Sequence, residues 1–353
     1  MQFVKRCNFL YWNNVEFSQK TFFSSQIFNK YRVLFFGTDE FSVTSLRLLF
    51  KELDNGCLKR LEIVTSSSKH NKGNKVIEFG KQNNLKIHSW PVTVPSHEEF
   101  DLGIVVSFGH LIPKHIINYF PYGMLNVHAS LLPRWRGAAP IIHAILNGDK
   151  ETGVTIMQIK PNHFDIGEVI LQKSVPIEAN ILMPDLKNTL ANEGAHLLIQ
   201  CLKDLPRNLS NAKSQSNDDV TYAPKVNPSL ANINWNNQTA EQIYNLHRAV
   251  YNLYALTTNW QGVSIKLFGC NICNHTDFVI KNIQKSGNDK SSIVPSPGYV
   301  TYNKSDKMLY VMCKDSSYVT FDSVRLLNKK TITAQDFNNG FMKKIDVEMR
   351  YFI

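Results

Sequence analysis

The sequence is poor in cysteine, in acidic residues and in long apolar runs, and each shortage removes a class of protein. Six cysteines (Cys7, Cys57, Cys201, Cys270, Cys273 and Cys313) are scattered over 353 residues. With no secretory signal ahead of them, they read as free thiols in a reducing compartment rather than as a disulfide framework. Only Cys270 and Cys273, followed by His275, have ligand-like spacing. A structural zinc site needs four ligands and Cys313 is distant, so no metal is expected and two small residues in a strand or loop is the simpler account. No segment offers the roughly 18 uninterrupted apolar residues of a spanning helix, so no membrane partner is expected. The first strand-like run ends at Gly37 but continues Thr-Asp-Glu-Phe. Without G-x-G-x-x-G at that turn there is no ground for inferring NAD or FAD.

Acids are outnumbered, 29 Asp and Glu against 39 Lys and Arg, for a formal net charge of +10. Such an excess favours a polyanionic partner, nucleic acid or a membrane surface. Part of it sits in the first thirty residues, where Lys5, Arg6, Lys20 and Lys30 face the single acid Glu16 among Phe, Leu, Trp and Ser. That composition fits a mitochondrial transit peptide over residues 1–30, and hence a mitochondrial matrix protein; an ordinary N-terminal tail is the alternative.

The length and a 43% hydrophobic content support two domains. From residue 31 the chain alternates short β-rich runs (31–37, 61–65, 102–107) with helical patterns, which predicts an α/β, Rossmann-like doubly wound domain over 31–207. An amphipathic helix over 184–205 closes it. Residues 208–225 open with a stretch rich in Asn, Ser, Lys and Asp that reads as a linker. Beyond it, a helix over 239–250 precedes short β-rich pieces at 263–267, 278–283, 298–301, 308–313 and 318–327. Their spacing predicts a small, OB-like β-barrel over 226–353.

Chemistry concentrates in residues 125–140, Leu-Asn-Val-His-Ala-Ser-Leu-Leu-Pro-Arg-Trp-Arg-Gly-Ala-Ala-Pro. Side chains at i and i+2 of an extended chain project to one side, so Asn126 and His128 can converge on one reacting atom. One can stabilise an oxyanion while the other moves a proton. Taken alone, the pair reads equally as a turn cap and a core histidine. Asp165, in a loop between two strand-like runs, reads alone as a turn residue.

The whole segment resembles the signature of the folate-dependent formyltransferases, Asn-x-His-x-Ser-Leu-Leu-Pro before a loop, and similarity extends from about Tyr31 onward through 33–42, 104–113 and 164–167. The resemblance implies a catalytic trio of Asn126, His128 and Asp165, and 10-formyltetrahydrofolate as formyl donor. It places folate contacts at Ser130, Leu131, Leu132 and Pro133, and beside them at Phe108, Gly109, Leu111 and Ile112. Residues 134–140 look more like the branch acting on methionyl-tRNA than the one acting on a purine precursor. That branch implies initiator methionyl-tRNA as partner, gripped by loop insertions of the catalytic domain and by the C-terminal barrel, with Arg134 and Arg136 near its acceptor end; a solvated loop is the alternative for these two arginines. The basic loop with Lys69, Lys72 and Lys75 also fits an RNA-borne amine, and the enzyme is expected to be a monomer. Residues 65–75 depart from the longer arginine- and glycine-rich insertion of bacterial members, and the C-terminal similarity is looser. Other readings are formyl transfer to another amine, hydrolytic release of formate, and an RNA-binding protein that kept the scaffold without the chemistry.

Overall fold

A computed structural model describes residues 30–66, 74–93, 99–273 and 295–353. The expected presequence (but for Lys30), Lys69, Lys72, His275 and the strand expected over 278–283 lie outside the described residues. The first half runs β1 (Tyr31–Gly37), α1 (Glu40–Asn55), β2 (Leu58–Thr65), α2 (Lys75–Gln82), β3 (Ile87–Ser89), β4 (Leu102–Val106), α3 (Lys114–Ile117), β5 (Met124–His128), α4 (Pro140–Leu146), β6 (Glu151–Gln158), β7 (Val169–Pro176), α5 (Met183–Lys203) and α6 (Leu205–Ser210). The strands form one sheet in the order β3-β2-β1-β4-β5-β6-β7. Its first five members are mutually parallel; β6 runs against them, and β7, antiparallel to β6, returns to their direction.

Uninterrupted apolar runs become the central strands because both faces of this sheet are covered. Alternation along β1 divides its side chains between two cores. Val33 and Phe35 join α1 and α5 residues such as Leu46, Leu49, Leu186 and Leu190, whereas Leu34 and Phe36 pack with Phe100, Phe108 and Phe120 on the other face. The N-terminus of α1 is closed by a capping box between Asp39 and Ser42, which satisfies donors the helix cannot reach itself. Strand order reverses between β1 and β4, the point at which such sheets open a crevice beyond their carboxyl ends. There Thr38 donates its hydroxyl to the carbonyl of Ser107 at 2.7 Å.

The second half contains α7 (Ala240–Val250), β8 (Leu256–Trp260), β9 (Val263–Phe268), β10 (Asn271–Ile272), β11 (Val300–Asn303), β12 (Met308–Met312), β13 (Tyr318–Phe321), β14 (Ser323–Leu326), β15 (Thr331–Thr333) and a final helix α8 (Ala334–Gly340). Two four-stranded antiparallel sheets, β15-β14-β9-β8 and β10-β13-β12-β11, enclose one core that includes Trp235, Leu267, Phe321, Phe337 and Phe352. The run expected as one strand over 318–327 breaks at Asp322, so that β13 and β14 belong to different sheets. A strand that changes sheet makes a corner, and here the backbone N–H of Asp322 crosses to the carbonyl of Phe268 at 3.1 Å while its carbonyl accepts from Ala334 at 2.7 Å. The chain terminus ties the sheets together, Phe352 bridging Trp260 and Tyr351 bridging Tyr299.

Candidate active site

Asn126 and His128 sit on β5, where the parallel pairing Val105↔Asn126 brings them level with the end of β4. Asp165 reaches them from the loop between β6 and β7. The amide nitrogen of Asn126 donates to Asp165 Oδ1 at 3.3 Å, and the same oxygen lies 3.7 Å from His128 Nδ1. His128 is only 6% exposed. Its Nε2 is 2.9 Å from the carbonyl oxygen of Trp135. A carbonyl can only accept, so Nε2 carries a hydrogen and Nδ1 is the nitrogen left to exchange a proton beside Asp165.

The segment after β5 is held from several sides. Ser130 is fully buried, and its hydroxyl donates to the carbonyl of Arg134 at 2.7 Å. Thr155 on β6 donates to the Ser130 carbonyl and accepts from the Leu132 N–H, while Gln172 on β7 donates to the Leu132 carbonyl. Leu131 and Pro133 are half-buried beside these anchors. Trp135 takes a left-handed backbone conformation, φ 62°, and its N–H donates to the hydroxyl of Thr221 at 2.8 Å. Residue 137 must be glycine: its φ is 124°, and a Cβ there would lie 2.6 Å from the carbonyl oxygen of Ala223. Its N–H in turn donates to Asp165 Oδ2 at 2.9 Å.

Of the turn after β4, Phe108 and Ile112 point into the protein. Phe108 packs edge-on against Phe36 and Trp90. Leu111 is 55% exposed, and Gly109, with φ 71°, has no atom within 4 Å of where a Cβ would stand. Gly109 and Leu111 thus lie open at the carboxyl end of β4, the strand that pairs with β5.

The cations expected at the rim differ in their partners. Arg134 forms a two-pronged pair with Asp149, 2.8 and 2.6 Å, and its guanidinium lies 4.5 Å from the Trp135 ring centroid. Hydrogen bonding to Asp149 raises the Arg134 pKa above its ordinary value. At Asp149 burial works against ionisation, but hydrogen bonds from Arg134, Asn147 and the Trp135 indole hold the carboxyl below the usual carboxylate range. Arg136 instead directs Nε and Nη2 at one neutral oxygen, Gln215 Oε1, at 3.0 and 2.7 Å. Lys75 lies exposed at the start of α2, paired with Glu78 at 3.0 Å.

Asp149, Gln215 and Thr221 were not expected at the site. Thr221 and Gln215 lie in the stretch read as a linker, which here adds backbone pairing between Lys213 and Val169 and between Arg136 and residues 221 and 223. An isolated amide or hydroxyl in a polar run carries no local signal of a partner roughly fifty to ninety residues away. Among the described residues no three His, Cys, Asp or Glu converge as metal ligands. Cys270 is buried, which pushes its thiol pKa up.

A doubly wound α/β half with an Asn–His–Asp cluster at its strand ends, joined to an antiparallel β half, defines a two-part α/β enzyme architecture. The chain belongs to the formyl transferase family, matching it over residues 56–202 and matching the formyl transferase C-terminal domain over 225–342. The mitochondrial methionyl-tRNA formyltransferase of Homo sapiens is 42% identical over 315 residues, covering 88% of this chain and 78% of that protein. The methionyl-tRNA formyltransferase of Caldanaerobacter subterraneus is 34% identical over 259 residues, 69% of this chain and 82% of the relative. Among solved structures, a sugar 3N-formyl transferase determined with dTDP and 5-N-formyl-THF superposes with a TM-score of 0.57 at 21% identity, covering 86% of this chain and all of that one. The N-formyltransferase of Helicobacter canadensis, solved with folinic acid and dTDP-3-aminofucose, gives 0.60 at 18% identity over 82% of this chain and 98% of that one. These two likenesses speak to the fold.

Proposed function

We propose that this chain transfers the formyl group of 10-formyltetrahydrofolate to the α-amino group of initiator methionyl-tRNA, in the mitochondrial matrix. The observation that carries the reading is the convergence of Asn126, His128 and Asp165, in a chain 42% identical to a mitochondrial methionyl-tRNA formyltransferase. Residues 1–30 are proposed as the import presequence, 31–207 as the catalytic part, 208–225 as its link to 226–353, and the last as the part that grips tRNA. A single copy serves as the working unit, since Asn126, His128 and Asp165 come together within one chain.

The folate donor supplies an activated formyl group, and the open turn at Gly109 and Leu111 after β4 and the anchored segment 130–133 after β5 are the parts assigned to receive its ring system. Asn126 Nδ2 presents a donor, and His128 Nδ1 a second whenever it carries a proton, where negative charge develops on the formyl oxygen as the amine attacks. Such donors contribute about 10² to 10³ in rate when the site is organised in advance. Asp165 Oδ1, 3.3 Å from Asn126 Nδ2 and 3.7 Å from His128 Nδ1, sets the amide and the imidazole side by side. The attacking amine gives up one proton and the departing folate nitrogen takes one. His128 Nδ1 and Asp165 are the groups placed to carry them, a service worth about 10² to 10⁴. The fixed Nε2–H···O bond to Trp135 keeps this exchange at Nδ1.

The RNA half of the reading is supported by the second half of the molecule. On adjoining strands Lys266 and Arg325 are directly paired in register. They line a groove of about 500 Å³ together with Ser229, Asn232 and Tyr254, and no carboxylate lines it. A cationic groove with an aromatic wall suits a phosphate backbone. The deciding experiment follows labelled formyl from 10-formyltetrahydrofolate into methionyl-tRNA, with uncharged tRNA, a glycinamide ribotide and an acceptor-free control alongside. Label on the methionine amine is the expected result; label on the small amine, or released as formate, overturns the tRNA assignment.

A further inference from the structure

The side chain of Gln215 is unusual in that every hydrogen-bonding capacity of its amide is used, and all within the catalytic neighbourhood. Its Nε2 donates both hydrogens, to the carbonyl of Asp165 at 2.8 Å and that of Gly167 at 2.9 Å. Its Oε1 accepts twice from Arg136. The amide orientation follows from these partners, since the reverse would set the oxygen against two carbonyls and the NH₂ against a guanidinium.

We propose that Gln215 is a positioning residue for the reaction, fixing the Asp165 loop through its backbone and linking it to the rim cation Arg136. The proposal rests on the formyl-transfer reading above. Asp165 occupies the left-handed region, φ 54°, where a side chain-bearing residue persists only when its surroundings hold it. Three hydrogen bonds do so: Asn126 Nδ2 and the Gly137 N–H on its carboxylate and Gln215, the one that holds the backbone, on its carbonyl. Gln215 is itself anchored, because Lys213, two residues earlier, exchanges both backbone hydrogen bonds with Val169 at the start of β7, 2.8 and 2.9 Å. The Asp165 loop is thereby clamped between its own exit strand and the segment that follows α6. Without the clamp the loop can leave the left-handed conformation, and Asp165 Oδ1 withdraws from Asn126 and His128.

The amide also decides what Arg136 is free to do. Gln215 orients the guanidinium without neutralising it, and among the described residues no carboxylate pairs with Arg136. Arg134, two residues earlier, is paired with Asp149. Arg136 therefore keeps its charge for an anionic group arriving at the mouth of the site, and the same amide that aims it holds the catalytic loop. Acceptor capture and catalytic alignment share one side chain.

The test compares parent, Gln215→Met, Gln215→Glu, Asp165→Asn and the double variant Gln215→Met/Asp165→Asn in the formylation assay, with thermal unfolding of each. Methionine keeps the shape and removes all four hydrogen bonds. Glutamate keeps the acceptor for Arg136 but sets a carboxylate against two carbonyls. Both variants are expected to lose roughly 10- to 100-fold in kcat, the order of effect of an ångström-scale misplacement, while the KM for the folate donor stays within about twofold. Because Gln215 acts through Asp165, the methionine substitution should cost less than about threefold more once Asp165 is already Asn. Variants that unfold with the parent yet turn over within about twofold of it would overturn the assignment, as would the full loss recurring on the Asp165→Asn background, which marks a merely structural role. A parent chain that forms no formylmethionyl-tRNA sinks the formyl-transfer reading itself, a result distinguishable from either.

Discussion

The two halves of the molecule use polar groups in opposite ways. In the first, the site residues are tied to one another: His128 to Trp135, Trp135 to Asp149 and Thr221, Asp165 to Asn126, Gly137 and Gln215. In the second, an apolar core around Trp235, Phe321 and Phe352 carries Lys266 and Arg325 outward on paired strands. Chemistry needs atoms held to fractions of an ångström, which a closed hydrogen-bond network provides. A polyanion needs a field and room to settle, which solvent-facing cations provide. The difference predicts that substitutions in the network around Asn126, His128 and Asp165 reduce turnover and those in the Lys266–Arg325 groove weaken binding.

The largest expected effect is at His128. Replacement by alanine should lower kcat by about 10² to 10⁴, with methionyl-tRNA affinity, measured by filter binding, unchanged. Gly137→Ala tests whether the network tolerates slack away from the reacting atoms. A Cβ 2.6 Å from the Ala223 carbonyl must push the 221–223 segment aside and pull the N–H from Asp165, and a turnover loss of about 10² is expected in steady-state assays.

Asp149 separates stability from chemistry. Its carboxyl releases its proton more readily in the folded chain than in the unfolded one. Its contribution is therefore complete above the unfolded carboxylate value of about 3.9 and is lost as pH falls from there through the lower folded value. Asp149→Asn should reduce unfolding free energy at neutral pH by about 1–3 kcal/mol, the worth of hydrogen bonds to a charged group. It should also flatten the acid limb of a urea-midpoint against pH curve. The mildest change belongs to the groove. Lys266→Ala with Arg325→Ala should weaken methionyl-tRNA binding roughly tenfold and reduce the magnitude of its log–log salt slope by about two, one for each phosphate no longer neutralised.

Much of this architecture was legible in the sequence because it rests on local pattern. Apolar runs at 31–37 and 102–107 became β1 and β4, the helical periodicity over 184–205 became α5, and the Asn-x-His motif emerged at the end of β5. The site's supports were not legible. Arg134 reads locally as a free cation, yet its partner Asp149 lies fifteen residues on, across α4. Trp135 matters through its carbonyl oxygen and Thr221 and Gln215 through side chains in a polar stretch, and neither role leaves a periodic trace. Asp322 breaks a run of strand-forming residues for a tertiary reason, the corner between two sheets, that no hydropathy pattern records.

The division of labour is tested most directly by single-turnover formyl transfer, with enzyme in saturating excess over labelled methionyl-tRNA so that binding no longer limits the rate. The Lys266→Ala/Arg325→Ala variant should then match the parent, while His128→Ala should remain slower by about two orders of magnitude or more. A groove variant that stays slow at saturation, or a His128 variant restored to the parent rate by excess enzyme, would contradict the assignment of chemistry to the Asn126–His128–Asp165 cluster and of tRNA-backbone capture to the Lys266–Arg325 groove.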